Sequence, residues 1–481
     1  MQRKAIQRFT GILLIVFSLT LLPSILLAWI NDEESLTGFA LSLLVTAGSG
    51  LVLWWPVRNY ARELQVRDGF GIVAIFWLAL GLYGGIPFLF NPGVPLVDAF
   101  FETVSGLTST GSTVFIGLDK LPLSTLYYRA QLEWVGGIGV VVLAIAVLPM
   151  LGIGGMQLYR AETPGPMKDS KLTPRITETA KALWYVYLGL TVACAGGYWL
   201  AGMDVFDAIC HAYATVSLGG FSTHDASFTY FNNVWIDVVC MVFMVLAGVN
   251  FAVHFLAWRG LSLKPYKNDP EFLTYILILS VAGLLVVLGL YLHGVYPTWG
   301  DAARFGLFNF ISVATTTGFV SADFPSWPAF VPALMFMTSF IGACAGSTGG
   351  GLKVIRVLML VRQGMREVRR LIHPNAQFPV KIGGVPLTSR VISAVWGFFA
   401  LYIASYGLLS LAVAATGLDY VTAFSAVAAC LNNAGVGLGA VSANFAGLSD
   451  TAKWILSFAM LLGRLEIFTV LVLLMPEYWR H

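Results

Sequence analysis

The sequence predicts an all-α polytopic membrane protein built from repeated units, and three observations carry that expectation. The 481 residues are 57% hydrophobic and only 11% charged, where a soluble chain carries about 25% charged residues. About ten apolar stretches approach or exceed the roughly 20 residues that a helical crossing requires. Between them a weaker motif, part apolar and part Ser/Thr/Gly, recurs four times.

The stretch 9–30 comes first. It exceeds the roughly 7–15 residues of a signal-peptide core and lacks a small-residue cleavage site, so it reads as a retained helix. Apolar stretches follow near 37–55, 70–91, 125–151, 182–202, 233–258, 273–295, 328–345, 390–417 and 452–475. The weaker segments lie at 91–125, 202–233, 295–328 and 417–452. If the N-terminus is inside and these four do not cross, the inner pieces are 1–8, 56–69, 152–182, 259–267, 353–390 and 476–481. Those pieces hold 23 of the 28 Lys and Arg residues, as the positive-inside rule demands. Counting any one weak segment as a crossing would invert every later loop. Each therefore enters and leaves on the outer side, and both termini are expected in the cytoplasm.

The weak segments align without gaps on Gly111, Gly220, Gly318 and Gly435, in "TSTGS", "SLGGF", "TTTGF" and "NNAGV". Six residues before stand Ser105, Ala214, Ser312 and Ala429, all small; three before stand Thr108, Ser217, Thr315 and Asn432, all polar and uncharged. Each copy reads as a span, a half-helix of roughly a dozen residues, a Gly turn and a second span. Two crossings per copy return the chain to the same side, so the copies are parallel about an axis along the membrane normal. The expected fold is two N-terminal spans plus four parallel span–pore-loop–span repeats around one central pore.

That arrangement points to a function. Non-helical backbone at membrane depth is tolerated only where protein buries it or water reaches it. Four half-helices would aim their negative C-terminal ends at one axis, and glycine permits the backbone that turns consecutive carbonyls inward. Carbonyl rings that replace a cation's hydration shell form a selectivity filter. A membrane enzyme would need clustered intramembrane His/Asp/Glu or Ser–Lys pairs, and the sequence offers none. The five cysteines lie in apolar segments without CxxC spacing, which argues against disulfides and zinc.

The stretches "SGLTSTGST", "TVSLGGFSTHD", "ATTTGFVS" and "LNNAGVGLG", with "GACAGSTGGGLKVIR" and "LLGRLEIF", resemble the potassium-uptake proteins of the Trk/Ktr/HKT superfamily. The two extra N-terminal spans make the chain most similar to the bacterial TrkH/TrkG branch, over about residues 8 to 480. The resemblance implies potassium uptake across the bacterial inner membrane by a multi-pass homodimer. It implies regulation by a cytoplasmic TrkA-like ring, with nucleotide (NAD or ATP/ADP) on that partner alone. Carried over, the potassium-binding filter backbone is Ser109, Thr110, Gly111; Leu218, Gly219, Gly220; Thr316, Thr317, Gly318; and Asn433, Ala434, Gly435. The four turns differ in sequence, so a sodium- or proton-coupled, or weakly selective, monovalent cation transporter stays open as the alternative. Potassium itself is the transported ion; no transition metal, bound cofactor or nucleic-acid partner is expected. The units are 1–69, 70–152, 153–267, 268–373 and 374–481.

The tract "GACAGSTGGGLK" at 342–353 fails the nucleotide-binding P-loop pattern, because Leu352 separates the last Gly from Lys353 and Val354 follows. Gly349 to Gly351 cost roughly 1 kcal/mol each in a helix relative to Ala, so the tract resists helix formation. The resemblance makes it an intramembrane gate loop over 345–351: Ala345, Gly346, Ser347, Thr348, Gly349, Gly350, Gly351. Arg464 reads as mid-span, where a buried charge marks a pathway, and the resemblance sets it against that loop to repel a resting cation. Asn250 breaks the second copy's inner span and is a candidate for the lower cavity. His224 reads as an outer-mouth hydrogen-bonding group, and His254 and His293 as interface residues. Asp98, Asp119, Asp225, Asp323 and Asp419 are outer carboxylates that either concentrate cations or cap helices. The basic segment 353–390, with 152–182, is the expected docking face for the ring, against plain attraction to anionic headgroups.

Overall fold

The computed structural model describes residues 3–60, 66–150 and 176–479. Most of the basic inner piece 152–182, part of 56–69, and the expected boundary at 152–153 fall outside the described residues.

The described chain is helical apart from loops and one two-stranded hairpin, Lys381–Ile382 with Val385–Pro386. By length and composition six helices suffice to cross a membrane: Lys4–Ile30, Ser35–Val57, Asp68–Phe90, Lys181–Leu200, Pro270–Leu292 and Ser389–Ala414. The first two are the N-terminal extension and cross closely. A Cβ at Gly11 would lie 2.8 Å from the Gly50 carbonyl and one at Gly50 2.9 Å from the Gly11 carbonyl, the small-residue contact by which membrane helices approach.

The other four open the four copies, and each is followed by a half-helix: Leu96–Leu107, Val205–Ser217, Trp299–Ala314 and Tyr420–Leu431. Asp204, Thr298 and Asp419 cap the last three, accepting from Phe206, Asp301 and Thr422 backbone N–H groups, which satisfies donors that a helix start leaves over. Ala99–Leu107 and Ala426–Leu431 are buried without interruption. A helix buried on all sides lies at the centre of its fold, and these half-helices are that centre.

The closing spans depart from straight crossings. The first copy keeps one helix, Leu123–Met150. In the second, Val234–Ala247 meets Phe251–Gly260 at 97°, and in the fourth, Asp450–Arg464 meets Ile467–Leu474 at 116°. The third copy's apolar stretch 328–345 is helical only over Phe330–Ile341 and resumes as Val354–Ile372. Gly342 ends that helix at φ 70°, a left-handed conformation that glycine adopts without penalty.

Candidate ion pathway

The four aligned turns close on one another. A Cβ built on Gly111 would collide with the carbonyl of Gly219, one on Gly220 with that of Thr317, one on Gly318 with that of Ala434, and one on Gly435 with that of Thr110. Each carbonyl belongs to the residue just before the next copy's aligned glycine, so the turns form a ring in chain order. The glycines have φ of 81°, 89°, 93° and 76°. Two residues earlier Ser109, Leu218, Thr316 and Asn433 are also left-handed, at 51°, 55°, 64° and 54°. A side chain at the glycine position would be both strained and thrown against a neighbouring carbonyl, which is why glycine stands there four times.

The small and polar positions have matching explanations. In every copy the residue before the glycine donates its N–H to the carbonyl five residues back: Thr110 to Ser105 at 2.8 Å, Gly219 to Ala214 at 2.8 Å, Thr317 to Ser312 at 2.7 Å and Ala434 to Ala429 at 2.7 Å. The chain thus doubles back over the small residue. The hydroxyls of Thr108, Ser217 and Thr315 donate to Val104, Tyr213 and Ile311 carbonyls at 2.7, 2.8 and 2.7 Å. For Val104 and Ile311 this is a second bond, since their carbonyls already accept the N–H of Thr108 and Thr315. Between the fourth and first turns, Asn433 Nδ2 donates to Thr110 Oγ1 at 2.9 Å and Ser112 Oγ to the Gly435 carbonyl at 3.1 Å.

The glycine-rich tract lies against the inner side of this ring. Thr348 Oγ1 donates to the Val216 carbonyl at 2.9 Å and Gly350 N to Thr316 Oγ1 at 2.8 Å, while a Cβ on Gly350 would strike the Asn432 carbonyl. The tract therefore touches the half-helix ends of the second, third and fourth copies. Arg464 joins it to the first copy, donating to the Thr348 carbonyl at 2.8 Å and to the Gly136 carbonyl at 3.0 Å. Arg464 is buried and forms no salt bridge among the described residues, so carbonyl dipoles alone compensate its charge.

A family model described as TrkH, cation transport protein, matches residues 35–480. The chain belongs to the TrkH family. It is 51% identical to the Trk system potassium uptake protein TrkH of Vibrio parahaemolyticus, each chain covered in full, and 49% identical over the same share to that of Escherichia coli. It is 40% identical to TrkG of Escherichia coli, with 99% of each chain covered. The crystal structure of the potassium transporter TrkH from Vibrio parahaemolyticus superposes with a TM-score of 0.92 at 48% identity over the whole of both chains. A TrkH-family chain is a multi-pass membrane transporter, not an enzyme.

Within this TrkH-family frame several expected residues take different surroundings. Arg464 is the last residue of its helix, at the break between Asp450–Arg464 and Ile467–Leu474, and Glu466 starts a new direction at φ 58°. Glu466 pairs instead with Arg356, at 2.7 Å. Gly463 directly precedes the break, where a Cβ would collide with the Leu431 carbonyl, and the Arg356 pair holds the chain beyond it. Asn250 caps Phe251–Gly260 through Ala252 N at 2.9 Å and lies against Gly346; it shapes the bend beside the tract. His254 is buried between Tyr266 Oη at 2.6 Å and the Leu246 carbonyl at 2.8 Å, whereas His293 is exposed. All five cysteines are buried and free.

The outer carboxylates mostly have partners. Asp98 meets Lys453 at 2.6 Å, Asp225 accepts from Gly117 N at 3.1 Å, and Asp419 is a cap. His224 lies between Asp119, at 2.5 Å, and Asp207, at 3.1 Å, stacked on Tyr230. Burial disfavours its charge, but the bonds and charges of the two carboxylates outweigh that and raise its pKa above 6.5. The imidazole fastens the loops that follow the first and second turns.

One set of residues escaped the sequence reading although the repeat contains it. Nine positions before the glycines stand Glu102, His211, Asn309 and Ala426. Glu102 accepts from Val114 N at 2.9 Å, His211 Nε2 bonds Ser222 Oγ at 2.9 Å, and Asn309 Nδ2 donates to Ser321 Oγ at 3.0 Å. In the fourth copy the adjacent Ser425 accepts from Leu438 N at 2.9 Å. Each polar group holds the strand that leaves its turn. Behind the second turn, Glu133 accepts from Phe221 N at 3.0 Å, and Arg129 joins Glu102 at 2.8 Å to the Ser222 carbonyl at 3.0 Å. Buried polar groups are kept only with partners, so polar residues on a buried half-helix were the available signal.

Proposed function

We propose that this chain carries potassium into the cell across the bacterial inner membrane. Its four-turn ring acts as the selectivity filter, and the tract 345–351 with Arg464 is the gate below it. The observation that carries this reading is the closed ring of left-handed turns, with a glycine-rich tract strapped across its inner side. The relatives named as potassium uptake proteins support the choice of ion. The chain works as a homodimer with both termini cytoplasmic, under a TrkA-like ring that binds the nucleotide. In proteoliposomes of purified protein, rubidium uptake is expected to exceed sodium uptake by about tenfold or more, a preference of at least about 1.4 kcal/mol. Equal uptake of the two ions would replace this reading with a weakly selective cation pathway, which the differing sequences of the four turns would then explain.

The inner helix Val354–Ile372 exposes Arg369 and Arg370 and leaves Arg366 half-buried beside them. Glu367 pairs with Arg366 at 2.9 Å and Arg370 at 3.4 Å, but exposed pairs of this kind contribute little and leave a basic surface. Replacing all three arginines with Glu is expected to weaken co-purification with a TrkA-type ring by about tenfold or more, with steeper loss as salt rises. Undiminished complex formation would place docking elsewhere and leave these arginines to anionic lipid headgroups.

A further inference from the structure

We propose that Glu271 is the latch that holds the gate tract closed, a positioning residue acting through both feet of the loop; this rests on the gate reading above. Glu271 stands in the first turn of Pro270–Leu292, and its side chain is 6% exposed. Its Oε1 accepts from Ala345 N at 2.7 Å and from Ile355 N at 3.1 Å. Ala345 opens the gate tract, and Ile355 is the second residue of the helix that follows it. One carboxylate oxygen thus ties together two points ten residues apart in the chain. The helix carrying it is itself fixed, because Asp269 caps it by accepting from the Glu271 and Phe272 N–H groups at 2.7 and 3.2 Å.

The chemistry suits a latch. The first N–H groups of Val354–Ile372 have no intrahelical acceptor, and that helix start carries the positive end of its dipole. A carboxylate there makes charge-assisted bonds about twice as strong as neutral ones. The tract's contacts with the ring above are made by Thr348 and Gly350, neutral groups. Its charged attachments are Arg464 and Lys353, which donate to the Thr348 and Gly349 carbonyls, and Glu271 at its feet. Release of Glu271 removes the side-chain bonds at both feet at once and leaves backbone bonds such as Cys344 N–H to Gly248 and Val354 N–H to Ala343, while every filter residue keeps its own bonds.

The sequence alone gives no hint of this role, since Glu in "NDPEF" reads as an ordinary first-turn acid. A plain helix-capping role makes a different prediction, namely less folded protein and no gain in flux. The test uses the full chain in proteoliposomes without its partner, reading rubidium uptake at matched protein amounts. Glu271→Ala is expected to raise uptake about tenfold or more with the rubidium-to-sodium ratio unchanged. Glu271→Gln, whose neutral amide oxygen can still accept from both N–H groups but without the charge, is expected to raise uptake less than Glu271→Ala does. If Glu271→Ala does not fold, Glu271→Asp serves, since it is one carbon too short to reach both donors and is expected to leak. The chain lacking Ser347 to Gly350 runs alongside. Raised uptake in that deletion with parental uptake in a folded Glu271→Ala or Glu271→Asp protein would overturn the latch alone. Parental uptake in both would overturn the gate, and the latch with it.

Discussion

Removing Ser347 to Gly350 is expected to raise partner-free rubidium uptake on the order of a hundredfold while the preference for rubidium over sodium persists. The deletion takes away the bonds of Thr348 to Val216 and of Gly350 to Thr316, and the carbonyl that receives Arg464. It removes no residue of the four turns. Arg464→Ala is expected to act in the same direction, because it removes a buried positive charge from the path of a cation. At an effective dielectric constant of about 20, two unit charges about 6 Å apart repel by roughly 3 kcal/mol, which corresponds to about a hundredfold in rate where the repulsion falls at the barrier. Arg464 has no carboxylate partner among the described residues to blunt that repulsion. Equal or lower uptake by a folded deletion would reject the gate and return the tract to the role of a helix end.

Selection between ions is expected to fail at the ring glycines. Gly220→Asp or Gly318→Ser puts a side chain on backbone at φ 89° or 93°, a conformation that costs an ordinary residue roughly 1–2 kcal/mol. The larger effect is spatial. A Cβ on Gly318 would lie 2.6 Å from the Ala434 carbonyl, and one on Gly220 would collide with that of Thr317, so the ring must widen. The ratio of rubidium to sodium uptake is expected to fall about tenfold or more, since about 1.4 kcal/mol of lost discrimination is a factor of ten. Gly117→Ser is the control. Its φ is 75°, as unusual as the others, but a Cβ there meets nothing within 4 Å. Selection should survive it, and a folded Gly220 or Gly318 variant with the parental ratio would remove these turns from the filter.

The four half-helices and the non-helical tract were legible before the structure, and each for a local reason. Hydropathy and the side preference of Lys and Arg accumulate along the chain, so the crossings and their orientation could be summed from sequence. The repeat was visible because each turn needs the same thing at the same offset: glycine where a neighbour's carbonyl approaches, a small residue under the doubled-back chain, and a hydroxyl or amide at the helix end. Gly349 to Gly351 announced a break because their helix penalty is intrinsic.

The rest depended on partners far away in the chain. Gly463 near the end of Asp450–Arg464 does not by itself announce a bend, and the turn at Glu466 is held by Arg356, 110 residues away. Glu271 looks like any first-turn acid until Ala345 and Ile355 present two N–H groups to one oxygen, 74 and 84 residues on. Likewise Glu133 becomes a strut only because Phe221 offers its N–H from 88 residues away. Sequence by itself determined that this is a multi-pass membrane chain with four aligned glycine turns. Only the tertiary structure decided that the turns close into a ring, what supports each of them, and where the gate tract is fastened. Those are pairings between distant groups, and neither hydropathy nor periodicity records which buried donor meets which buried acceptor.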